Sequence, residues 1–477
     1  MRYIIYITLL FAILPFVFTR PFFGLCAYYV VSILQPKFLC WRPELQDALI
    51  VGVPMIMGTI IFGARRIAAE PKFNLRLRRV VGIKTKLVRS SLFEPSWPIL
   101  LFGCLVVYLI LNRVLSPFPM RTTATQFRTL CKVMLVATLT TGLASDYRRV
   151  RILIIVVGLS AAFWAIKGGI KVVLIGPHQV YGKTYDNNLF ALTSGMALPM
   201  VFYFGLSVKH ARWRAVLLAC SAFIILAIIG SKSRAGFLSM GVVLLLMAWN
   251  SRYRLRALFA VLIVGAVTLG MARQEIHERI ASILAFREDV SASSRFETWH
   301  YAWTLLQSYP LTGVGFNQFE TARHAFVGGN RAAHNIYLQN LAELGLLGNP
   351  IWLAILLGTL ISLYRFMRRA RGFPPEFRWA YYWSRGLLLG LTAFCIHGMF
   401  HNEEYFEPMF AIVGLNIALQ LATERELREL RLTKAAEQTT RRREQRRKTS
   451  PRRRGRRRPT ESLGPHPPLA LHPGRVY

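Results

Sequence analysis

The chain has 477 residues, of which 53% are hydrophobic and only 17% are charged, and its mean hydropathy is +0.36. Apolar stretches close to the ~20 residues that a helix needs to cross a bilayer recur along the sequence, which argues against a soluble enzyme. These stretches are continuous rather than alternating, which argues against a membrane β-barrel. The net charge of +37 lies mainly in loops beside apolar stretches, a pattern typical of cytoplasmic loops rather than of nucleic-acid binding.

The predicted fold is an all-α, polytopic transmembrane bundle of about 12 or 13 spans. No small-residue cleavage site follows residues 1–20, so we expect this stretch to be retained as the first span. One long segment of mixed composition interrupts the rhythm of spans and is predicted to form a large helical loop outside the membrane. The predicted divisions are amino-terminal spans at 1–63, a basic cytoplasmic loop at 64–97, a transmembrane core at 98–271, the external catalytic loop at 272–350, carboxy-terminal spans at 351–422 and a tail at 423–477.

Charge predicts the side of the membrane on which each loop lies. The stretch 65–90 holds nine Lys or Arg and one Glu, whereas 272–335 holds six basic and six acidic residues. Because cytoplasmic loops carry the excess of positive charge, the balanced loop is expected to lie on the external side of the membrane.

The tail at 423–477 is strongly basic and of low complexity, with 17 Lys or Arg against six acidic residues. This composition predicts disorder. Binding to RNA or DNA is one interpretation. Because the tail has no aromatic residue for base stacking before Tyr477, attraction to anionic lipid headgroups is favoured, and no nucleic-acid partner is expected.

Arg234 is the first candidate for chemistry, since it stands at the outer end of the apolar stretch SKSRAGFLSMGVVLLL. Ser231 or Ser233 can cap this helix, which places Arg234 in its first turn. A guanidinium beside the exposed N–H groups of a helix start predicts an anion site suited to phosphate. The alternative is an arginine that borders a span and extends to the interface.

His334 is the second candidate. The series His334, Tyr337, Leu338, Leu341 and Leu344 has helical spacing and predicts an amphipathic helix that begins at the histidine. The turn signal at 348–350 is expected to end it. An imidazole there can accept a proton from a hydroxyl group near neutral pH, or it can be an ordinary interfacial residue.

Other residues of the external segments are candidates for substrate binding. The aromatic residues that follow Arg295 can stack on sugar rings or form an interfacial belt, and the DNN sequence can bind sugar hydroxyls or cap a helix. The acidic pair near residue 400 can act as a general base or hold arginine side chains. The predicted substrate-binding residues are Arg295, Arg331, Asp186, Asn187, Asn188, Trp299, Glu403 and Glu404.

The sequence carries no HExxH motif, no DxD-like pair and no CxxC pair. The six cysteines lie mostly in or beside apolar stretches, where they are small buried hydrophobes rather than ligands or disulfide partners. We therefore predict neither a metal nor a cofactor.

The order of these motifs resembles the O-antigen ligase and polymerase superfamily. The resemblance rests on DNN at 186–188, SRAGFL at 233–238, SSRFETW at 293–299, PLTGVG at 310–315 and HNIYLQNLAELG at 334–345. It covers roughly residues 1–420 and excludes the arginine-rich tail. The amino-terminal sequence is similar to the exosortase-associated subgroup of O-glycosylation ligases.

The resemblance implies a metal-independent, inverting glycosyltransferase that lies in a bacterial inner membrane and faces the periplasm. The donor would be a glycan on undecaprenyl diphosphate, and the acceptor a hydroxyl group of a second lipid-linked glycan, of lipid A–core or of a protein. Arg234 and His334 would match the family's essential arginine and histidine, and Arg295 a further functional arginine. Arg234, with Arg295 or Arg331, would neutralise the leaving diphosphate, and His334 would take the acceptor's proton.

Three functions remain open at this point. The first is a ligase that transfers a preassembled glycan, and the second is a polymerase of the same superfamily that extends lipid-linked repeats. The third is a transporter or structural membrane protein without chemistry, which would predict an inverted repeat or paired broken helices. No such repeat is visible in the sequence.

Overall fold

The structure is a computed structural model, and part of the chain lies outside its description. Residues 271–289 of the predicted external loop and residues 450–477 of the predicted tail are among those outside. The described residues are 1–40, 45–74, 79–90, 93, 95–118, 123–176, 180, 186–249, 251, 253–270, 290–328 and 331–449.

Helices account for nearly all regular structure in this part of the chain. They are α1 (Arg2–Thr19), α2 (Pro21–Tyr29), α3 (Asp47–Phe62), α4 (Trp97–Leu115), α5 (Thr123–Leu143), α6 (Tyr147–Ile175), α7 (Asn187–Ser207), α8 (Ala211–Gly230), α9 (Arg234–Trp249), α10 (Arg254–Gly270), α11 (Val290–Ser308), α12 (Phe319–Val327), α13 (Ile336–Ala370), α14 (Arg378–His397) and α15 (Glu407–Thr449). A π-helical turn at Val30–Leu34 follows α2, and 3₁₀ turns lie at Pro36–Cys40, Pro375–Phe377 and Gly398–Phe400.

Six of the described helices are long and apolar enough to cross a membrane, namely α1, α4, α6, α7, α8 and α13. Shorter apolar helices lie at Pro21–Leu34, Asp47–Phe62 and Arg234–Trp249. The prediction of an all-α, multi-pass membrane bundle is therefore confirmed, while the number of 12 or 13 crossings stays a prediction.

Helix α7 occupies the centre of the bundle and packs against α6, α8, α9 and α14. In the most apolar 18-residue stretch of α7, 78% of the residues are buried, against 11% in that of α1, because α7 is surrounded by other helices. Asp186 caps the helix and accepts a hydrogen bond from the backbone N–H of Asn188 at 2.7 Å. The amino-terminal end of α7 is thereby fixed next to the helices that surround it.

Helix α13 begins later and breaks earlier than the sequence predicts. Asn335, not His334, is its cap, and the first helical residue is Ile336. The helix is interrupted at Gly345, where φ is +62° and ψ is −167°, rather than at the predicted turn signal at 348–350. Glycine reaches this left-handed region at little cost, whereas other residues do not.

The PLTGVG segment, residues 310–315, fills the break in α13. The N–H of Val314 donates to the carbonyl of Ala342 at 2.9 Å. The N–H of Leu346, just past the break, donates to the carbonyl of Pro310 at 2.8 Å. Residues 310–315, called the strap below, thus satisfy backbone groups that the interrupted helix leaves without partners.

Gly313 of this strap has φ +68°, and a Cβ there would lie 2.4 Å from the carbonyl oxygen of Glu343. We therefore expect Gly313→Ala to destabilise the protein by ~2 kcal/mol or more, since both the backbone conformation and the clash are unfavourable. Thermal unfolding of the purified protein measures this. Gly103→Ala, where a Cβ in α4 meets nothing within 4 Å, is the matched control and is expected to leave the midpoint unchanged or raised; equal midpoints for both variants would contradict the prediction.

The described part of the predicted external loop has a small hydrophobic core of its own, formed by α11, the strap, α12 and the first turns of α13. This core is separate from the large one inside the bundle. Its buried members are Ala302, Leu305, Val314, Phe319, Ala322, Ala333 and Ala342. Burial of apolar surface therefore holds the predicted catalytic loop as a packed structure.

Backbone contacts divide the chain into two compact units. The first comprises Met1–Ala68 and Lys86–Arg428, and the second comprises Ala69–Thr85 and Glu429–Tyr477. Strands β1 (Ala64–Asn74) and β2 (Arg79–Ser90) pair in a two-stranded sheet within the predicted basic loop.

The prediction of disorder from residue 423 is wrong as far as Thr449, because α15 continues to that residue. The pairs Glu424 and Arg428, and Glu437 and Arg441, have acid–base spacing i, i+4, which stabilises a helix on its surface. The composition of the whole tail conceals this local pattern.

Candidate functional site

The amino-terminal ends of α7 and α9 are joined by side-chain hydrogen bonds. Ser233 donates to Oδ1 of Asn188 at 2.7 Å, and Asn187 donates to the carbonyl of Ser231 at 3.3 Å. Ser233 also accepts a hydrogen bond from the N–H of Gly236 at 3.1 Å and so caps α9, as the sequence predicts. Arg234, the first residue of α9, therefore stands beside the start of α7.

His334 lies in a short segment that is held from several directions. Its φ is +48°, an unusual conformation for a residue other than glycine, and its side chain is half-buried. The indole N–H of Trp299, on α11, donates to the carbonyl of Ala333 at 2.8 Å. The N–H of Ala333 donates to Oε1 of Gln339 at 3.2 Å. Strain of this kind persists only where neighbouring contacts enforce it, and it is frequent at functional sites.

His334 lies within electrostatic range of Arg295, on α11, and of Asp186, at the start of α7. Burial and the positive charge of Arg295 lower the pKa of His334 below its usual value, while Asp186 acts in the opposite direction. The imidazole is consequently neutral at pH 7, the state in which it can accept a proton.

Two further histidines belong to the surroundings of His334, and the sequence analysis missed both. His401 and His397 are buried, and their rings are 5.7 Å apart. Burial lowers the pKa of His401 to about 4, and the ionisable groups around it include Asp186, His334 and Arg295. The sequence signal was available, because His401 opens the stretch HNEEYFEP that supplied the acidic candidates.

A buried polar network connects the His334 segment to the acidic pair. The amide nitrogen of Gln339 donates to Oε1 of Glu343 and to Oε1 of Glu404, both at 3.3 Å. Burial raises the pKa of Glu404 well above its usual value, with Glu343 adding to the shift. Burial, together with Asp186, raises the pKa of Glu403 to about 7. At neutral pH these carboxyl groups are therefore not all ionised.

Glu343, Glu403 and Glu404 line a cavity of about 830 Å³. The first turns of α5, the residues after the strap, α12, the first turns of α13 and the loop 402–405 form its walls. Hydroxyl and amide side chains from α5 complete it at Thr125, Gln126 and Thr129. The side chains suit a polar, hydroxyl-bearing ligand, and the volume is that of an ordinary small-molecule site.

The predicted site residues are only partly gathered in this region. Asp186 acts as a helix cap, one of the two roles that the sequence allowed, and also faces the histidines. Trp299 is partly buried and positions the His334 segment. Arg331 is exposed, and Glu404 is buried against Gln339. Sugar stacking by Trp299 and substrate binding by Arg331 stay predictions.

Residues 218–353 match the family model described as O-antigen ligase. That segment, less than a third of the chain, is similar to the family so described. It extends from the middle of α8 into α13 and contains Arg234, Arg295, Trp299, Arg331 and His334. The match supports the resemblance to the O-antigen ligase superfamily, which the motifs suggested.

The matched segment does not include every group of the site. Asp186, Asn188, His401, Glu403 and Glu404 lie outside the matched residues, although the fold brings them to those within. The chain matches no curated protein. Within the described ranges, no three His, Cys, Asp or Glu side chains form a group that could hold a metal ion.

The match, in a chain whose described part has six helices long and apolar enough to cross a membrane, supports a ligase- or polymerase-type function in polysaccharide biosynthesis, carried out by a multi-pass membrane protein.

Proposed function

We propose that the protein transfers a glycan from undecaprenyl diphosphate to an acceptor hydroxyl group at the periplasmic face of the inner membrane. The observation that carries the proposal is that His334 lies within electrostatic range of Arg295 and Asp186. Asp186 precedes the start of α7, which a hydrogen bond from Ser233 to Asn188 joins to the start of α9, where Arg234 lies. A base, guanidinium groups and a helix amino terminus at one place suit a reaction in which a diphosphate departs.

The reaction forms one C–O bond and breaks another. The acceptor oxygen attacks the anomeric carbon of the donor sugar, the bond from that carbon to the diphosphate oxygen breaks, and undecaprenyl diphosphate leaves with both bonding electrons. His334, neutral at pH 7 because of burial and Arg295, receives the proton of the acceptor hydroxyl. In-line attack inverts the anomeric configuration.

The leaving diphosphate gains negative charge as the bond breaks. Arg234, with Arg295 or Arg331, stabilises that charge, and the backbone N–H groups at the start of α9 add to the field. The guanidinium group presents its donors in a planar fork that fits two phosphate oxygens. Neither nucleotide nor metal has a role in this scheme.

Transfer of a complete glycan by a ligase is favoured over extension of lipid-linked repeats by a polymerase, because the amino-terminal sequence resembles the O-glycosylation ligases of exosortase systems. Deletion of the gene separates the two. A missing ligase leaves long lipid-linked glycans without an acceptor, whereas a missing polymerase leaves single repeats joined to acceptor. A transporter without chemistry would be revived by flux that survives the loss of Arg234 and His334.

The proposal is tested with the full chain in lipid nanodiscs, supplied with undecaprenyl-diphosphate-linked oligosaccharide and envelope extracts as the source of acceptor. Mass spectrometry is expected to find a new glycoconjugate together with released undecaprenyl diphosphate. Failure to consume the donor in the presence of every acceptor fraction, by protein that unfolds cooperatively, would overturn it.

Trp299→Phe is expected to lower kcat/KM of this transfer by roughly tenfold, because loss of the indole N–H leaves the Ala333 carbonyl without that bond, at a cost of ~1–3 kcal/mol. An aromatic ring is retained, so an effect on sugar stacking alone would be small. Trp303→Phe, on the same helix and 51% exposed, is the matched control. Equal activities for the two variants would show that the indole bond does not position His334.

Arg295→Gln is expected to move the acid limb of the kcat/KM profile to higher pH. The positive charge of Arg295 disfavours the imidazolium form, so its removal raises the pKa of His334. Asp186→Asn is expected to move the limb to lower pH, because Asp186 favours the imidazolium form. The asparagine can still cap α7.

The profiles are compared in the Glu403→Gln background, since the pKa of Glu403 of about 7 falls in the same pH window. In that background, protein that keeps Arg295 and Asp186 is expected to show its acid limb below pH 6.5, the usual pKa of histidine. Shifts of the same sign in the Arg295 and Asp186 variants would contradict the assignment of this limb to His334.

A further inference from the structure

The cavity of about 830 Å³ presents carboxyl groups and is adjacent to the His334 segment. Among the described residues that line it, Glu320, Glu343, Glu403 and Glu404 are acidic, His324 is the one histidine, and none is Lys or Arg. The chain as a whole carries 60 Lys or Arg against 23 acidic residues, so the local charge is opposite to that of the molecule.

Glu404 supplies evidence that the cavity is a binding site. Its side chain is 3% exposed, and its Oε1 accepts a hydrogen bond from Gln339 at 3.3 Å. Its Oε2 accepts no hydrogen bond from the described residues. A buried carboxyl oxygen without a donor costs ~1–3 kcal/mol, and a ligand with N–H or O–H groups in the cavity removes that cost.

The other lining groups are of the kind that holds carbohydrate. Thr125, Gln126 and Thr129 of α5 and Asn317 after the strap supply hydroxyl and amide groups. The rings of Phe316 and Tyr405 lie 4.8 Å apart at the same wall. Aromatic surface beside converging polar side chains suits a sugar, which has apolar ring faces and hydroxyl edges.

The position of the cavity relative to His334 points to the acceptor rather than to the donor. Gln339, which donates to Glu404, also accepts from the N–H of Ala333, the residue before His334. Glu403 and His334 both lie within electrostatic range of Asp186. The carboxylates of this wall would repel the donor diphosphate. The guanidinium groups of Arg295 and Arg234 lie near His334 and at the start of α9, and neither residue lines the cavity.

We propose, on the basis of the proposed function, that this cavity binds the acceptor, and that the acceptor is an amino sugar whose ammonium group pairs with Glu403 and Glu404. Its hydroxyl group is then presented to His334. An ammonium in the cavity stabilises the ionised carboxylates, which burial otherwise disfavours. A phosphorylated glycolipid would instead place like charges together.

The elements around the cavity carry several titratable side chains. Helix α12 supplies Glu320 and His324, α13 supplies Glu343, and the loop after α14 supplies Glu403 and Glu404. Because burial holds the pKa of Glu403 at about 7, amine binding is expected to strengthen as pH rises through that value and to weaken again when the amine itself loses its proton.

The test measures binding to the full chain in nanodiscs without donor. The probes are a glucosamine tetrasaccharide with free amino groups, its fully N-acetylated form, a phosphorylated glucose tetrasaccharide and a lysine- and serine-containing peptide. The free-amine saccharide is expected to bind tightest, and Glu403→Gln is expected to weaken it by roughly tenfold or more through loss of a charge-assisted bond. Glu376→Gln, an exposed change in the 3₁₀ turn Pro375–Phe377, is the matched control.

Equal binding of the free-amine and N-acetylated saccharides, tightest binding of the phosphorylated saccharide, or tightest binding of the peptide would overturn the inference. Wild-type affinity in Glu403→Gln and in Glu320→Gln would do so too. Both variants retain the buried Glu404, so misfolding does not confuse the result. If the protein prefers the amine but transfers no glycan, the inference about the cavity stands and the proposed function fails. If the protein transfers glycan to phosphorylated acceptors, the proposed function stands and the inference about the cavity fails.

Discussion

His334→Ala is expected to lower kcat for glycan transfer by ~10²–10⁴-fold, the usual contribution of a general base. The methyl group cannot accept a proton, and the rest of the segment keeps its supports. The bond from Trp299 to Ala333 and the bond from Ala333 to Gln339 both involve the backbone of the preceding residue. Donor affinity is therefore expected to change little.

Single-turnover kinetics with saturating donor measure the chemical step directly. The matched control is His300→Ala, the same change at an exposed position on α11, which is expected to retain wild-type kcat. Full activity in His334→Ala would eliminate this histidine as the base.

His401→Ala resolves which imidazole takes the proton. His401 lies within electrostatic range of His334, and burial lowers its pKa to about 4, so it too is neutral at pH 7. If His401 were the base, its alanine variant would show the large loss and His334→Ala the small one. The segment geometry favours His334, whose backbone is held in a strained conformation with φ +48°.

The helical bundle follows from the sequence because apolar runs of sufficient length have few alternatives in a membrane. The ends of the helices are harder to predict. Helix α6 continues to Ile175 and includes Lys167, whose ammonium lies 5.0 Å from the ring centroid of Trp164. A lysine that covers an aromatic ring and reaches solvent need not end an apolar helix.

The break in α13 shows why long-range contacts limit such predictions. Gly348, Asn349 and Pro350 form a good local stop signal, yet the interruption is at Gly345. The position is decided by the strap, since a Cβ at Gly345 would lie 2.4 Å from the carbonyl oxygen of Leu311. No pattern within α13 specifies that a distant segment approaches its backbone there.

The sequence offered candidates where a single motif carried the chemistry, as for Arg234 and His334, whose catalytic roles stay predictions. It was not predictable where residues from distant segments converge. Gln339 and Glu343 occupied the polar face of an amphipathic helix, a pattern that usually means exposure, but both are buried. Their partners come from other segments, because Gln339 donates to Glu404 and the backbone N–H groups of Asn317 and Phe319 donate to Glu343.

Arg234→Ala is expected to lower kcat/KM by ~10²–10³-fold, as removal of one stabilising donor does in comparable sites. The physical reason is the charge that develops on the departing diphosphate beside the start of α9. Arg234→Lys keeps a positive charge but loses the planar fork, so a partial loss is expected. The matched control is Arg212→Ala at the opposite end of α8, an exposed position.

Product inhibition separates this role from a merely structural one. Undecaprenyl diphosphate is expected to inhibit the wild-type protein much more strongly than undecaprenyl monophosphate, because a bidentate guanidinium group holds two phosphate oxygens at once. In Arg234→Ala the preference for the diphosphate is expected to shrink, while the Arg212 variant keeps it. A variant that loses activity but still prefers the diphosphate as strongly as the wild type would show that Arg234 supports the fold of the α7–α9 junction, where Ser233 bonds to Asn188, and that another cation receives the leaving group.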